Sequence, residues 1–141
     1  MNILLDTNII MDALQERQPF DIAAKKILQY SLSEKIRCCF TANTITDIFY
    51  IYSKAHNPNT ARNALRYLLS NYKVISVAHE DCMEALSLPI NDFEDALIVV
   101  CAAKEKVDYI ITRDEEFLQK ESPVALISPS ALLEKLELKE Y

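Results

Sequence analysis

Glycine is missing from all 141 residues, although average usage of about 7% would supply roughly ten. The absence removes whole classes of site. No G-x-G-x-x-G dinucleotide loop, Walker A loop, G-x-S-x-G nucleophile elbow or EF-hand glycine can be written. Where a turn needs a positive φ, the eight asparagines are the expected substitutes. No apolar run approaches the ~18 residues of a membrane span. The start, MNILLDTN, has no basic segment and meets Asp6 early, unlike a secretory leader. Cysteines 38, 39, 82 and 101 form no C-x-x-C pair and are expected as reduced thiols of a cytoplasmic protein. His56 and His79 stand alone, without zinc-ligand spacing.

What is present is an ordinary globular composition, 50% apolar and 26% charged, expected as one domain over residues 1–141. The net charge of −6 is uneven. Residues 1–74 hold nine Lys/Arg and six Asp/Glu, a balance of +3, while residues 75–141 hold six and fifteen, a balance of −9. An acidic whole opposes non-specific adhesion to nucleic acid. It leaves room for a nuclease whose carboxylates are offset by cations, and for a basic partner.

Short apolar runs alternate with helical patterns. Strands are expected at 3–5, 36–40, 74–77, 109–111 and 124–127. Helices are expected at 9–15, 22–32, 44–52, 60–70, 79–87, 91–105, 115–118 and 130–136, with Asn71 as a left-handed cap. Such alternation predicts an α/β/α three-layer architecture around a parallel sheet. Runs 3–5 and 109–111 lack polar alternation, as central strands covered on both faces should.

Four acidic clusters then fall at equivalent places. Asp6 follows the first strand, Asp47 opens the helix after the second, Asp92 and Asp95 open the apolar helix, and Asp114 follows the fourth strand. In a parallel sheet these positions share the carboxyl edge, where ligands bind. Crowded carboxylates repel and raise one another's pKa, and a divalent cation removes the conflict. The set suits metal-dependent phosphodiester hydrolysis, with Asn8, Thr7 and Thr112 orienting the carboxylates or adding neutral oxygens. Each aspartate also has a purely structural explanation. Thr44-x-x-Asp47, Asn91-x-x-Glu94 and Thr112-x-x-Glu115 read as capping boxes, and acids near helix N-termini favour the dipole. Asp95 resists that explanation, because eight apolar residues follow it on a helix expected to be buried. Lys54, Arg62 and Arg66 read as a solvated basic face or as candidate RNA-backbone contacts. Tyr50, Tyr52, Tyr67 and Tyr72 read as core or interface residues, with base stacking as the second use.

LLDTNIIMDAL, TANTITDIFYI, NDFEDALIVVCA and DYIITRDEEF, followed by a late Ser-Pro, occur in that order. In this the chain resembles the PIN-domain family over roughly residues 1–133, including VapC-type toxin nucleases of toxin–antitoxin pairs. The resemblance implies a PIN-like α/β/α fold with a five-stranded parallel sheet, a Mg²⁺ or Mn²⁺ pocket and endonucleolytic RNA cleavage. It implies catalytic roles for Asp6, Asp47, Asp95 and Asp114, and metal ligation by Asp6, Asp95, Asp92 and Asp114. Asp47 stands where the family usually has glutamate, and Asn8 and Thr112 match its supporting residues. Water activated at the metal, rather than a side chain, would be the base. An antitoxin partner and a homodimer are implied as well. Two rivals remain. One is a catalytically weak PIN scaffold that binds RNA or protein. The other is a haloacid-dehalogenase-like phosphatase, which wants an aspartate where Asn8 stands.

Overall fold

The computed structural model describes residues 1–138; the last three residues of the expected 1–141 domain lie outside the described part. The elements are β1 (Asn2–Leu5), α1 (Thr7–Leu14), α2 (Asp21–Leu32), β2 (Arg37–Thr41), α3 (Ala42–Ala55), α4 (Pro58–Asn71), β3 (Lys73–Ile75), α5 (His79–Ser87), α6 (Phe93–Glu105), β4 (Tyr109–Ile111), α7 (Glu115–Leu118), β5 (Ala125–Ile127) and α8 (Pro129–Leu138). The strands form one five-stranded sheet in the order β3-β2-β1-β4-β5, and every pair is parallel. The expected fold class is therefore the observed one.

Side chains alternate across a strand, so each apolar run feeds two cores. Ile3 and Leu5 of β1 and Phe40 of β2 join Ile9, Ile10, Ile27, Ile48, Leu68 and Leu132 beneath α1–α4 and α8. Leu4, Cys39 and Ile110 point the other way, onto α5, α6 and Phe117 of α7. Residues Ala96–Ala102 of α6 are all buried, because this helix sits between the sheet and its neighbours. Burying each Leu, Ile or Phe in this way contributes about 1.5–3 kcal/mol. Cys38, Cys39 and Cys101 are buried free thiols. Burial pushes Cys38 and Cys39 up to about 12. Among the described residues no helix is long and apolar enough to cross a membrane.

The turns depart from expectation. Positive φ is borne by Glu16, Glu34 and Lys106, and by none of the asparagines. Asn71 ends α4 in helical conformation, followed by the extended residue Tyr72. Asn57 instead caps α4 at its start, its Oδ1 accepting the Thr60 N–H at 2.8 Å with Pro58 behind it. Lys106 takes the left-handed position after α6, where its own N–H and that of Val107 close onto Ala103 and Ala102.

Candidate active site

From β1 the chain steps outward to β2 and β3, then crosses back to place β4 on the other side of β1. The loops leaving β1 and β4 therefore diverge, and a crevice opens at their carboxyl ends. The Asp6 N–H donates to Ile111 O at 3.0 Å, which holds the two strand ends together. The crevice is an open cleft of about 490 Å³, and six carboxylates line it: Asp6, Asp47, Asp92, Glu94, Asp95 and Asp114. Thr7, Asn8, Arg17 and Tyr50 are also in its wall.

Asp6 caps α1. Its Oδ1 accepts the Thr7 N–H at 2.8 Å, and its Oδ2 accepts the Thr112 hydroxyl at 2.8 Å and the Asn8 amide at 3.3 Å. Thr112 in turn accepts the Asp114 N–H at 3.1 Å, so one hydroxyl links two of the acids. Asp114 caps α7 through Oδ1, which takes N–H groups from Glu116 at 3.0 Å and Phe117 at 3.3 Å. Asp92 caps α6 through Oδ1, bonded to the Asp95 N–H at 3.1 Å. The hydroxyls of Thr7 and Thr44 meet at 2.9 Å, tying α1 to α3 beside the cleft.

None of the three expected capping boxes has formed. Thr44 lies inside α3, whose N-cap is Thr41, so Asp47 sits a turn further in and serves no cap. Asp92 and Asp114, not Asn91 and Thr112, are the caps of their helices. Asp47 instead meets Glu94. The contact with Asp47, then burial, then the charges of Asp47, Asp6 and Asp92 push Glu94 up to about 7. Two carboxyls side by side hold a hydrogen bond only while one keeps its proton. Asp95 is also pushed up to about 7, first by burial and then by the charges of Asp92, Asp6, Asp114 and Glu116. Asp6 is raised by burial, against the lowering effect of its bonds from Thr112 and Thr7.

The donor set is all oxygen, which suits a hard cation such as Mg²⁺. The Oδ1 atoms of Asn8 and Asn43 are buried and accept no hydrogen bond, leaving acceptors for an ion or its water near the acids. Charge and ligand type therefore fit a divalent cation. Among the described residues, no three His, Cys, Asp or Glu side chains already stand together as a metal-binding group.

The candidate RNA contacts lie apart from these acids. Lys54 bonds the Tyr50 hydroxyl and covers its ring at 4.3 Å, so it reaches the cleft only through Tyr50. Arg62 lies over Phe49 at 5.7 Å, and Arg66 bonds Asn63 at 2.9 Å; neither lines the cleft. Of the four tyrosines, Tyr72 is in the core and Tyr50 is 60% exposed. The sequence reading does not include Glu94 or Arg17 among the site residues. Asn91-x-x-Glu94 reads as a cap, and the acid density of 92–95 is the available signal for Glu94. Arg17 is a single cation after a helix end, without a local pattern.

This fold, with acids gathered at the sheet's switch point, defines a class, and residues 2–116 match the family model described as PIN domain. The chain belongs to the PIN-domain family. It is 23% identical over 120 residues to Ribonuclease VapC1 of Aquifex aeolicus, covering 82% of this chain and 83% of that one. Among solved structures it resembles VapBC2 from Rickettsia felis bound to a promoter DNA fragment, with TM-score 0.67, 19% identity and coverage of 91% and 98%. It also resembles VapC20 of Mycobacterium tuberculosis, a Sarcin-Ricin loop cleaving toxin, with TM-score 0.65, 14% identity and coverage of 82% and 92%. A toxin–antitoxin complex from Klebsiella pneumoniae matches with TM-score 0.68, 21% identity and coverage of 90% and 97%. At these identities the structural likeness establishes the fold.

Proposed function

We propose that the chain is a Mg²⁺- or Mn²⁺-dependent endoribonuclease and the toxin of a toxin–antitoxin pair, working in the cytoplasm. The observation that carries the reading is the single cleft in which Asp6, Asp47, Asp92, Glu94, Asp95 and Asp114 meet from four separate stretches of chain. Capping at the sheet's carboxyl edge accounts for Asp6, Asp92 and Asp114, but not for Asp47, Glu94 and Asp95 in the same cleft. Asp6 and Asp95 would be the main cation ligands, with Asp92 and Asp114 completing the set. A bound divalent cation supplies charge neutralisation for the scissile phosphate and acidifies water. Thr112 and Asn8 fix the Asp6 carboxylate. Asp47 and Glu94, in contact with each other, extend the acidic wall beside these ligands. Tyr50 is exposed with Lys54 over one face of its ring, and the opposite face can take an unpaired base. The toxin role is supported by the VapC1 relative and the VapBC-type neighbours, and it implies an antitoxin partner.

Purified protein should cleave single-stranded or looped RNA with Mg²⁺ or Mn²⁺ and not in EDTA. Asp6→Asn and Asp95→Asn should each abolish cleavage with the fold intact. Cleavage undiminished in EDTA or in both variants would overturn the mechanism. Expression should arrest growth and a small adjacent gene should relieve it; harmless expression without that gene would overturn the toxin role. A second reading, a PIN scaffold that binds RNA or protein without cutting, draws on the absence of a pre-gathered metal group among the described residues. Cation binding without cleavage of any RNA would favour it.

A further inference from the structure

We infer that Arg17 is a substrate-binding residue, gripping an RNA phosphate beside the one that is cleaved. The inference rests on the RNA-cleaving reading of the cleft. An RNA strand entering a cleft lined by six carboxylates meets repulsion at every phosphate that a bound cation does not neutralise. Among the described residues Arg17 is the one cationic side chain in the lining.

Its charge is only partly offset by the protein, through a long ion pair with Asp12. Asp12 is 1% exposed, and Arg113 already occupies both of its oxygens, Nε to Oδ2 at 2.6 Å and Nη2 to Oδ1 at 3.1 Å. Arg17 Nη1 stands 3.9 Å from the same Oδ1, outside hydrogen-bond reach. Two guanidinium groups thus share one buried carboxylate, and the group of three carries a net +1 at neutral pH. Phe20 stacks on Arg113 at 4.0 Å, which keeps that guanidinium on Asp12, while Arg17 lines the cleft.

Arg17 is also held in place. Its Nε and Nη2 donate to Gln15 Oε1 at 3.0 and 2.7 Å. Its backbone N–H donates to Asp12 O at 3.1 Å, closing the end of α1. The residue before it, Glu16, is left-handed with φ 51°, a conformation that disfavours a side-chain-bearing residue. Glu16 is anchored to Lys25 at 3.1 Å. Among the described residues the remaining Arg17 N–H groups have no hydrogen-bond partner. A guanidinium whose Nε–Nη2 edge is held by Gln15 still presents the outer N–H groups of Nη1 and Nη2, a pair that can bind phosphate in two-pronged fashion.

Binding of a mixed-sequence single-stranded RNA oligonucleotide tests this, measured from 50 to 300 mM salt beside cleavage with Mg²⁺. Arg17→Gln should weaken binding about tenfold, as loss of a charge-assisted pair does. It should lower the salt slope by about 0.7, one phosphate contact to a single strand. KM should rise with the affinity loss and kcat should change less. Arg17→Lys should restore the slope but only part of the affinity. Arg113 keeps Asp12 paired in both variants, so thermal midpoints should stay near the parent's. Unchanged affinity and slope in Arg17→Gln would overturn the inference, as would equal loss in Arg17→Gln and Arg17→Lys with the parent's slope. A parent that binds RNA through Arg17 but cuts none would sink the nuclease reading and leave this contact standing. A parent that neither binds nor cuts RNA would sink both.

Discussion

In EDTA, Asp95→Asn is expected to be more stable than the parent protein at pH 8 and to lose most of that advantage by pH 4.5. Asp95 lies in the first turn of α6 with buried residues behind it and Asp92, Asp6 and Asp114 around it, and folding raises its pKa from 3.8 to about 7. The sign follows from proton counting. The folded state keeps a proton that the unfolded state has released, so the stability due to the protonated carboxyl is fully present below 3.8. It is lost as pH rises through about 7. A sealed site would give roughly 4 kcal/mol, at ~1.4 kcal/mol per pH unit over that interval. The cleft is open to solvent, and screening reduces this to about 1–2 kcal/mol. Asparagine imitates the protonated side chain at every pH, so the variant should melt roughly 3–8 °C above the parent at pH 8. Circular dichroism melts at half-unit pH steps measure the gap directly. Mg²⁺ should then reverse the order, because an ion at 100 times its Kd adds about 2.7 kcal/mol to whichever protein binds it. A gap that stays constant with pH, or a variant less stable than the parent at pH 8 in EDTA, would refute the electrostatic account of this residue.

Two further outcomes follow from other parts of the molecule. Arg113→Ala leaves Asp12 buried with Arg17 3.9 Å away and should cost about 3 kcal/mol in urea unfolding; an unchanged midpoint would show that Asp12 does not need its partner. Reversing charge at Arg62 and Arg66, which lie on the exposed face of α4 away from the acids, should weaken RNA binding and flatten its salt dependence if the basic 54–73 stretch guides the strand. An unchanged slope would place the RNA path elsewhere.

The central elements are legible in the sequence because their physics is local. Ile3-Leu4-Leu5 and Tyr109-Ile110-Ile111 lie between two layers of helix, so no polar residue interrupts them. Alternation of strand and helix then leaves little choice but a parallel sheet. Element ends were harder to read. Helix α3 begins at Ala42 behind Thr41, whose side chain makes no capping bond; Thr44 offers the same N-cap signal three residues on, and the local sequence does not choose between them. The left-handed positions escape the sequence for a related reason. Their placement at Glu16, Glu34 and Lys106 follows from how each helix must end against its neighbours, and that requirement exceeds the modest preference of asparagine for positive φ. The Asp47–Glu94 contact was illegible because it joins α3 to α6, and only the packed sheet brings those helices to one cleft.

The same aspartates can serve as helix caps and as ligands, although the sequence presents these as rival explanations. A carboxylate has two oxygens, and a cap uses one. Asp92 gives Oδ1 to the Asp95 N–H and Asp114 gives Oδ1 to the start of α7; neither Oδ2 has a hydrogen-bond partner among the described residues. The cap fixes the side chain at the helix start, and the N-terminal dipole favours its negative charge. It does so without using the second oxygen. Asp6 goes further and engages both oxygens, with Thr112 and Asn8 on Oδ2, so its orientation is set before any ion arrives. Asp95 is the opposite case, with no cap to serve and a pKa pushed up to about 7 by burial and by its neighbours' charges. Three helix starts thus hold three carboxylates in fixed orientation, and the fourth acid, placed among them, carries the electrostatic strain that a cation would relieve. A chain without glycine lacks the residue that lets a phosphate-wrapping loop bring its backbone N–H groups closest. Here those N–H groups are given to aspartates, and the aspartates face the cleft.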